Sequence, residues 1–207
     1  MTANKLPDRE FRFGNRLPPD FAWFCAPKDY QLHDGLVFQT EPNTDFWQRT
    51  HYGFQNDNGH ALLTPVSGDF AFSAQLVFDY RTMYDQCGLL FRADANNWIK
   101  VSLEYEDASI SRLGSVVTNS GYSDWATTDI NSDVTVMWYR LQRRGQDVLI
   151  ENSYDGTVWL QMRITHLQAD LSEAKVGIYA CSPKDSSFEC RVPVMHLGLN
   201  KWEVPES

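Results

Sequence analysis

The sequence has few cysteines and lacks the motifs that bind metals or carry redox chemistry. Its four cysteines lie far apart, and no two of them form a C-x-x-C pair. This spacing argues against zinc sites and redox motifs, and we expect all four thiols to be reduced. The segment Asp57–His60 offers oxygen ligands but lacks the alternating acidic pattern of a calcium loop. The motifs therefore predict neither a metal ion nor a cofactor.

Positive charge is also scarce, and no long apolar run is present. The chain has 18 Lys and Arg against 27 Asp and Glu, a net charge of −9. Its basic residues are dispersed, which argues against nucleic-acid binding. The first 20 residues contain no apolar run typical of a signal peptide, and no later segment has the roughly 20 apolar residues that span a bilayer. We therefore expect a cytoplasmic protein that binds neither nucleic acids nor membranes.

Alternation at a period of two residues recurs along the chain, whereas sustained helical periodicity is missing. One short helix is possible around residues 167–173. Roughly a dozen strands, about ten residues apart and separated by turn residues, are typical of a two-sheet sandwich. The sequence thus predicts an all-β jelly-roll sandwich of two antiparallel sheets in a single domain, residues 1–207. Residues 1–20 are expected to form an extended N-terminal arm and residues 198–207 a C-terminal tail.

The clearest alternation runs through YDQCGLLFRADANNWIKVSLEYED, residues 84–107. Asp94, Asn96 and Asn97 favour a turn, so this segment is interpreted as a β-hairpin. Apolar residues must oppose apolar residues in an antiparallel pair. The resulting register places Trp98 opposite Arg92, Lys100 opposite Leu90, Ser102 opposite Gly88 and Glu104 opposite Gln86.

A second hairpin is predicted between two strands that end at Arg144 and begin at Asp147. If it closes at Arg144-Gly145, Trp138 lies opposite Glu151. Arg140 is then diagonal to Glu151, and the two side chains are expected to form a cross-strand ion pair.

One face of the first hairpin has a gap in its middle, where Gly88 and Ser102 leave little side-chain volume. The gap is surrounded by polar groups and one flat ring, from Gln86, Lys100, Glu104 and Trp98. Such a face suits a polar, ring-shaped ligand. It is equally typical of the solvated outer face of a sandwich sheet, and both interpretations stay open.

Two flanking segments place aromatic rings beside carboxylates. Residues 41–59 form an aromatic-rich loop, and NSGYSDWATTD follows the strand predicted for residues 109–118. A ring next to a carboxylate suits sugar stacking and hydroxyl binding. The same rings could instead cap or fill the core. The candidate ligand-binding residues in these segments are Asp45, Trp47, His51, Ser123, Asp124 and Trp125.

Four elements in a fixed order point to a family: DFWQRTHYG, the hairpin sequence above, SDWAT and YRLQRRGQDVLIENSYDGTVW. Together they resemble the small concanavalin A-like proteins labelled as a domain of unknown function or as regulation-of-enolase-like proteins. The resemblance covers about residues 21–197. It implies a jelly-roll fold akin to legume lectins and laminarinase-type glucanases, without an established activity. By position it highlights Gln86, Lys100, Glu104, Asp45, Trp47, Ser123, Asp124 and Trp125.

Catalytic motifs are weak. Glucanases of the resembling fold carry E-x-D-x-x-E on one strand, which Glu104 and Glu106 do not complete. These two residues share a strand face at about 6.5–7 Å, slightly beyond the ~5–5.5 Å of a retaining glycosidase. We expect Lys100, on the same face, to keep Glu104 ionised. An ionised carboxylate binds a hydroxyl better than it donates a proton, so no catalytic residue is predicted.

Three functions remain in view. The favoured one is a non-catalytic carbohydrate-binding module that binds a sugar or oligosaccharide on a concave sheet face. The alternatives are a regulatory protein that binds a metabolic enzyme, and a glycoside hydrolase that uses Glu104 with a second carboxylate. Aromatic rings that line the gap would favour a sugar, whereas an exposed apolar patch elsewhere would favour a protein partner.

Overall fold

The computed structural model describes residues 8–203, and these residues form two large sheets and one small hairpin without a helix. The back sheet contains β1 Arg9–Arg12, β3 Tyr30–Leu32, β4 Leu36–Gln39, β8 Phe70–Phe78, β13 Val136–Arg144, β14 Asp147–Ser153, β15 Leu160–His166 and β17 Glu189–Gly198. The front sheet contains β2 Ala22–Phe24, β7 His60–Pro65, β9 Gln86–Asp94, β10 Asn97–Tyr105, β11 Ile110–Asn119, β12 Tyr122–Asn131 and β16 Lys175–Cys181. The separate hairpin joins β5 Phe46–Gln48 to β6 Gln55–Asp57.

Strands that are distant in sequence are neighbours in both sheets. The back sheet has the order β15-β14-β13-β8-β17-β4-β3, with β1 beside β17, and the front sheet has the order β12-β11-β10-β9-β16-β7-β2. Every ladder in these two sheets is antiparallel. The predicted all-β sandwich of two antiparallel sheets is therefore confirmed, with several short strands beyond the expected dozen.

The main core lies between the sheets because alternate residues of each strand face inward. Strand β8 buries every second residue from Phe70 to Phe78, against front-sheet residues such as Phe91 and Val101. Phe11 and Phe13 of the predicted N-terminal arm also join this core. Residues 1–7 of the arm and 204–207 of the tail lie outside the described residues. That residues 1–207 form one domain stays a prediction.

The register of the central hairpin is confirmed at all four predicted pairs, with an irregularity between Asn97 and Trp98. Glycine at position 88 has a backbone reason as well as a packing one. A Cβ atom there would lie 1.7 Å from the carbonyl oxygen of Val101 on β10. The close approach of β9 and β10 therefore requires glycine at this position.

Three expectations are corrected. Strands β13 and β14 pair Arg140 with Glu151 and Trp138 with Ser153, because the turn is Gly145-Gln146 rather than Arg144-Gly145. Residues 167–173 are turn and irregular structure, not a helix. The loop of residues 41–59 contains the β5–β6 hairpin. The segment after β11, for which no element was predicted, forms the edge strand β12.

Candidate functional site

The β5–β6 hairpin folds over the outer face of the front sheet and creates a second, smaller apolar cluster there. Phe46 of β5 is fully buried and meets the rings of Trp98 and Tyr179 edge-on, at centroid distances of 6.1 and 5.8 Å. The Trp98 ring is itself completely buried, and its Nε1 donates to the carbonyl of Ala95. Trp98 therefore supports the hairpin and does not form an open plate for a ligand.

The gap predicted at Gly88 and Ser102 does not open into the site. Tyr179 of the neighbouring strand β16 lies opposite Gly88 in the ladder. Its ring is fully buried, and its hydroxyl donates to Oε1 of Gln86 at 3.0 Å. The available space lies beside the gap, above Gln86, Lys100 and Glu104.

This space, called the cleft below, has a volume of about 320 Å³, at the lower end of the range of roughly 300–1,000 Å³ for small-molecule sites. Its polar floor is formed by Asp45, Gln86, Lys100 and Glu104. Its aromatic walls are formed by Trp47, Tyr52, Phe54, Tyr84 and Trp125. Asn56, Val116, Pro183 and Lys184 complete the lining.

The floor is a continuous network of polar contacts. Oε1 of Gln86 accepts hydrogen bonds from Nζ of Lys100 at 2.9 Å and from the Tyr179 hydroxyl. These two donors fix the amide orientation, so Nε2 of Gln86 points the other way and donates to Oε2 of Glu104 at 2.9 Å. Nζ of Lys100 also lies 3.5 Å from Oδ1 of Asp45. Asp45, Lys100, Gln86 and Glu104 are thus connected in sequence along the floor.

The residue Glu104 is 9% exposed, and burial raises the pKa of its carboxyl group from 4.5 to about 7. Burial disfavours the charged form, and the Lys100 charge only partly opposes that effect. The expectation that Lys100 keeps Glu104 ionised is therefore wrong. Near neutral pH this carboxyl group exists in both protonation states and can either donate or accept a hydrogen bond.

The aromatic walls are arranged as a connected set of rings. Trp47 meets Trp125 edge-on at 6.4 Å and Tyr52 at 5.5 Å, and Tyr52 stacks on Phe54 at 5.5 Å. Tyr52 and Phe54 are about half exposed, so their faces are available to a ligand. The loop that carries them is anchored by Arg49, whose Nη1 donates to the carbonyl of Gly121 at 2.8 Å.

Several predicted site residues lie outside the cleft. His51 is exposed and packs on Tyr52, but it does not line the space. Ser123 is buried, and its Oγ accepts from the Gln48 amide at 3.0 Å, which attaches the β5–β6 hairpin to β12. Asp124 is exposed and pairs with Arg163 at 3.1 Å. With Trp98, these residues have structural or surface positions.

The cleft unites the other six predicted residues, whose binding role stays a prediction: Asp45, Trp47, Gln86, Lys100, Glu104 and Trp125. Residues not singled out as candidates are Tyr52, Phe54, Asn56, Tyr84, Val116, Pro183 and Lys184. The aromatic content of the loop of residues 41–59 was a usable signal for Tyr52 and Phe54. No local pattern marks Pro183 or Lys184, which reach the cleft because β16 pairs with β9.

Two further features, a cluster of metal ligands and a membrane-spanning helix, are absent from residues 8–203. No group of three or more His, Cys, Asp or Glu side chains there could hold a metal ion. No helix of sufficient length and hydrophobicity to cross a membrane occurs in the same range.

The fold and cleft define a concanavalin A-like jelly-roll protein with an aromatic-walled site on one sheet. The chain belongs to the family described as "Protein of unknown function (DUF1349)", whose model matches residues 23–198. It is 31% identical over 163 residues to Regulation of enolase protein 1 of Saccharomyces cerevisiae, covering 78% of this chain and 81% of that protein.

Solved structures show the same fold. A functionally unknown protein from Saccharomyces cerevisiae superposes with a TM-score of 0.76 and 28% identity, over 91% of this chain and 98% of the other. The GH43 BlXynB protein from Bacillus licheniformis gives 0.72 and 16%, over 89% of this chain and 38% of the other. A xylan beta-1,4-xylosidase from Bacillus halodurans gives 0.64 and 10%, over 88% and 40%. The last two likenesses concern the fold alone.

Proposed function

We propose that this protein is a non-catalytic carbohydrate-binding protein whose ligand, a sugar or oligosaccharide, occupies the cleft above Gln86, Lys100 and Glu104. The observation that carries the proposal is the pairing of aromatic walls with a hydrogen-bonding floor in one cleft of about 320 Å³. A sugar ring has an apolar face that packs on aromatic rings and hydroxyl groups that bind charged side chains. The cleft offers both kinds of contact.

Two further facts support the proposal. The floor groups are held in place before any ligand arrives, because Gln86 accepts two hydrogen bonds and donates two, to Glu104 and to the carbonyl of Tyr84. Such preorganisation reduces the entropic cost of binding. The Tyr52 and Phe54 rings at the wall are about half exposed, so a sugar can reach them. We also propose that the protein is cytoplasmic, as the sequence predicts. Four free thiols support this location.

A thermal-shift screen with neutral and charged oligosaccharides tests the proposal. We expect at least one sugar to raise the melting temperature, and Trp125→Ala to remove most of that shift. Trp159→Ala is the matched control, because Trp159 lies on the outer face of the back sheet, against Arg140. No shift with any sugar, or equal shifts in the wild type and Trp125→Ala, would contradict the proposal.

A protein partner is the second candidate, favoured by an exposed apolar groove away from the cleft. Tyr154, Leu160 and Met162 line this groove opposite Ala126 and Ile130 of β12, and Tyr154 and Leu160 are about half exposed. Exposed apolar surface of this kind often marks a protein contact. The yeast relative is named as regulating enolase, which makes an enolase the first partner to try.

Direct binding to a purified enolase tests this candidate by surface plasmon resonance. Leu160→Glu should abolish binding, whereas Gln31→Glu, on the opposite edge strand β3 of the back sheet, should not. Absence of binding by the wild type, or binding that Leu160→Glu leaves unchanged, would count against a partner at this groove.

A further inference from the structure

Glu104 presents one engaged and one free carboxylate oxygen. Oε2 accepts the hydrogen bond from Gln86, whereas Oε1 accepts none from residues 8–203. Glu104 lines the cleft, and Oε1 is not among the fully buried unpartnered atoms of the described chain. The free oxygen is therefore accessible from the cleft. The side-chain amide of Gln86 cannot flip to make a different contact with Oε1 of Glu104, because its oxygen already accepts two hydrogen bonds.

The buried cation of the floor is committed elsewhere. Lys100 is only 3% exposed and directs Nζ at Oε1 of Gln86 and toward Oδ1 of Asp45. Within the described residues, its ion pair within 4.0 Å is with Asp45 and not with Glu104. Asp45 and Lys100 thus compensate each other's charge. When Glu104 ionises, its charge lacks a directly paired cation.

None of the other charged groups near Glu104 in the described chain supplies a directly paired cation. Glu106, just past the end of β10, pairs at 2.8 Å with Arg112, which lies opposite Glu104 on β11. Lys184 lies exposed at the rim, with Nζ 5.2 Å from the centre of the Tyr84 ring. Solvent screens a rim charge far more than it screens a buried one. Within the described residues, an ionised Glu104 is therefore only partly compensated, by the nearby Lys100 charge, and has no directly paired cation.

The aromatic walls add a second attraction for positive charge. Ring faces attract an ammonium group within about 6 Å of their centroids, and the Lys184–Tyr84 contact already has this geometry at the rim. Trp47, Tyr52 and Trp125 present further rings to the same space. A neutral sugar would satisfy the hydrogen bonds of the floor but would leave the Glu104 charge without a partner.

We propose that the cleft selects a sugar that carries a protonated amine, and that the ammonium group of this amino sugar pairs with Oε1 of Glu104. The inference rests on the proposed carbohydrate-binding function and narrows its ligand class. Gln86 holds the carboxylate by Oε2, Lys100 stays paired with Asp45, and the rings pack against the sugar.

Proton release should accompany binding. The pKa of Glu104 is raised to about 7 by burial, so at pH 6 about nine-tenths of the free protein carries the proton. An ammonium group at Oε1 favours the ionised carboxylate and lowers that pKa. Each bound amino sugar should therefore release most of one proton at pH 6. A neutral sugar should release little.

Isothermal titration calorimetry with matched sugars tests the inference. The probes are the methyl glycosides of glucose, galactose and mannose, each with its 2-amino and 2-acetamido counterpart. Titrations at pH 6 in two buffers of different ionisation enthalpy measure the protons released. In at least one series we expect the amino sugar to bind about tenfold more tightly than both neutral forms, as a charge-assisted hydrogen bond would cause.

Two variants separate the role of Glu104 from a general charge effect. Glu104→Gln should remove both the preference for the amine and the proton release, whatever its effect on the affinity for the neutral sugars. Glu173→Gln makes the same charge change at an exposed side chain that does not line the cleft, and should leave both properties intact. If Glu104→Gln fails to fold, proton release by the wild type alone decides, since it is measured without a substitution.

The outcomes distinguish this inference from the broader proposal. Neutral sugars that bind as well as their amines, without proton release, would overturn amine selection and leave carbohydrate binding standing. Amine preference that persists in folded Glu104→Gln would overturn the assignment of the ammonium to Oε1. Failure of all nine glycosides and of the oligosaccharide screen would overturn both.

Discussion

Each sheet carries one buried glutamate on its outer face, and the two glutamates differ in how completely they are paired and hydrogen-bonded. Glu151 on the back sheet is 7% exposed and receives Nε and Nη2 of Arg140 at 2.6 and 2.9 Å, plus Nε2 of Gln142 at 2.9 Å. The Trp159 ring covers Arg140 at 4.1 Å. Glu104 on the front sheet is equally buried but has one amide partner and no paired cation within the described chain.

This difference identifies the site better than cavity size does. The groove beside Arg140 and Trp159 on the back sheet has a volume of about 410 Å³, larger than the cleft. The Arg140 guanidinium and the Gln142 amide that line this groove already bind Glu151, however, so a ligand would gain little from them. Buried charges that are paired and hydrogen-bonded are structural, whereas the incompletely paired Glu104 leaves binding capacity for a ligand.

The largest expected effect comes from truncating Phe46, the buried ring of the β5–β6 hairpin in the apolar cluster on the front sheet. Phe46→Ala should lower the free energy of unfolding by about 4 kcal/mol, as for other fully buried phenylalanines. Urea denaturation measures the loss. Phe54→Ala on the same hairpin is the control, since Phe54 is half exposed and should cost below about 1 kcal/mol. Equal losses in the two variants would show that Phe46 does not anchor the hairpin.

The second effect is a pH dependence that Glu104 should impose and Glu104→Gln should remove. Its pKa is raised from 4.5 to about 7, so folding disfavours its ionised form. The stability of the wild type should therefore fall, relative to Glu104→Gln, as the pH rises from about 4.5 to 7, and level off above. The difference should reach about 3 kcal/mol at pH 9. Urea denaturation at pH 4 and pH 9 measures it, with Glu173→Gln, at an exposed side chain, as the control that should track the wild type.

The third effect breaks the complete network of the back sheet. Glu151→Gln should destabilise the protein by about 2 kcal/mol, below the roughly 3–5 kcal/mol of a fully buried pair because Arg140 keeps some contact with solvent. The double variant Arg140→Leu/Glu151→Leu should recover most of this loss, since it leaves no unpaired charge. A double variant less stable than Glu151→Gln would mean that the ion pair itself contributes net stability.

The two long hairpins show how far alternation determines a fold. The central hairpin has a small pair, Gly88 and Ser102, and a single cluster of turn residues, so its register was predicted correctly. In the β13–β14 hairpin the prediction was displaced by two residues, at Trp138 and Glu151. A displacement of two residues keeps every side chain on the same face. Alternation therefore predicts the face of each residue, whereas the register also depends on the position of the turn.

The sequence did not predict the parts of the site that are formed by segments distant from one another in the chain. Gln86, Lys100 and Glu104 share one hairpin, so their proximity follows from local pairing. Burial of Trp98 depends on Phe46, which arrives from a hairpin some fifty residues earlier in the chain. The raised pKa of Glu104 has the same origin, because the residues that cover it belong to other segments. Local periodicity contains no information about such coverage.

The smallest expected effect is the absence of hydrolysis. Glycoside hydrolysis requires a carboxylic acid and a second, free carboxylate across the scissile bond. The raised pKa of Glu104 suits the acid. The second role has no good occupant among the described residues, since Oδ1 of Asp45 accepts from the Phe46 amide and lies near Lys100, and Glu106 pairs with Arg112 outside the cleft.

We therefore expect no reducing-sugar release from a panel of polysaccharides, β-glucans and xylans included, by the wild type. The assay should give the same background for Glu104→Gln and Asp45→Asn. Turnover by the wild type that both substitutions abolish would identify these two carboxyl groups as a catalytic pair, and the protein would be a glycoside hydrolase. Turnover unaffected by either substitution would place the chemistry outside the cleft. Because Glu104 can donate a proton near neutral pH but Asp45 is engaged by a cation and an amide, binding without turnover is the outcome that the two carboxyl environments favour.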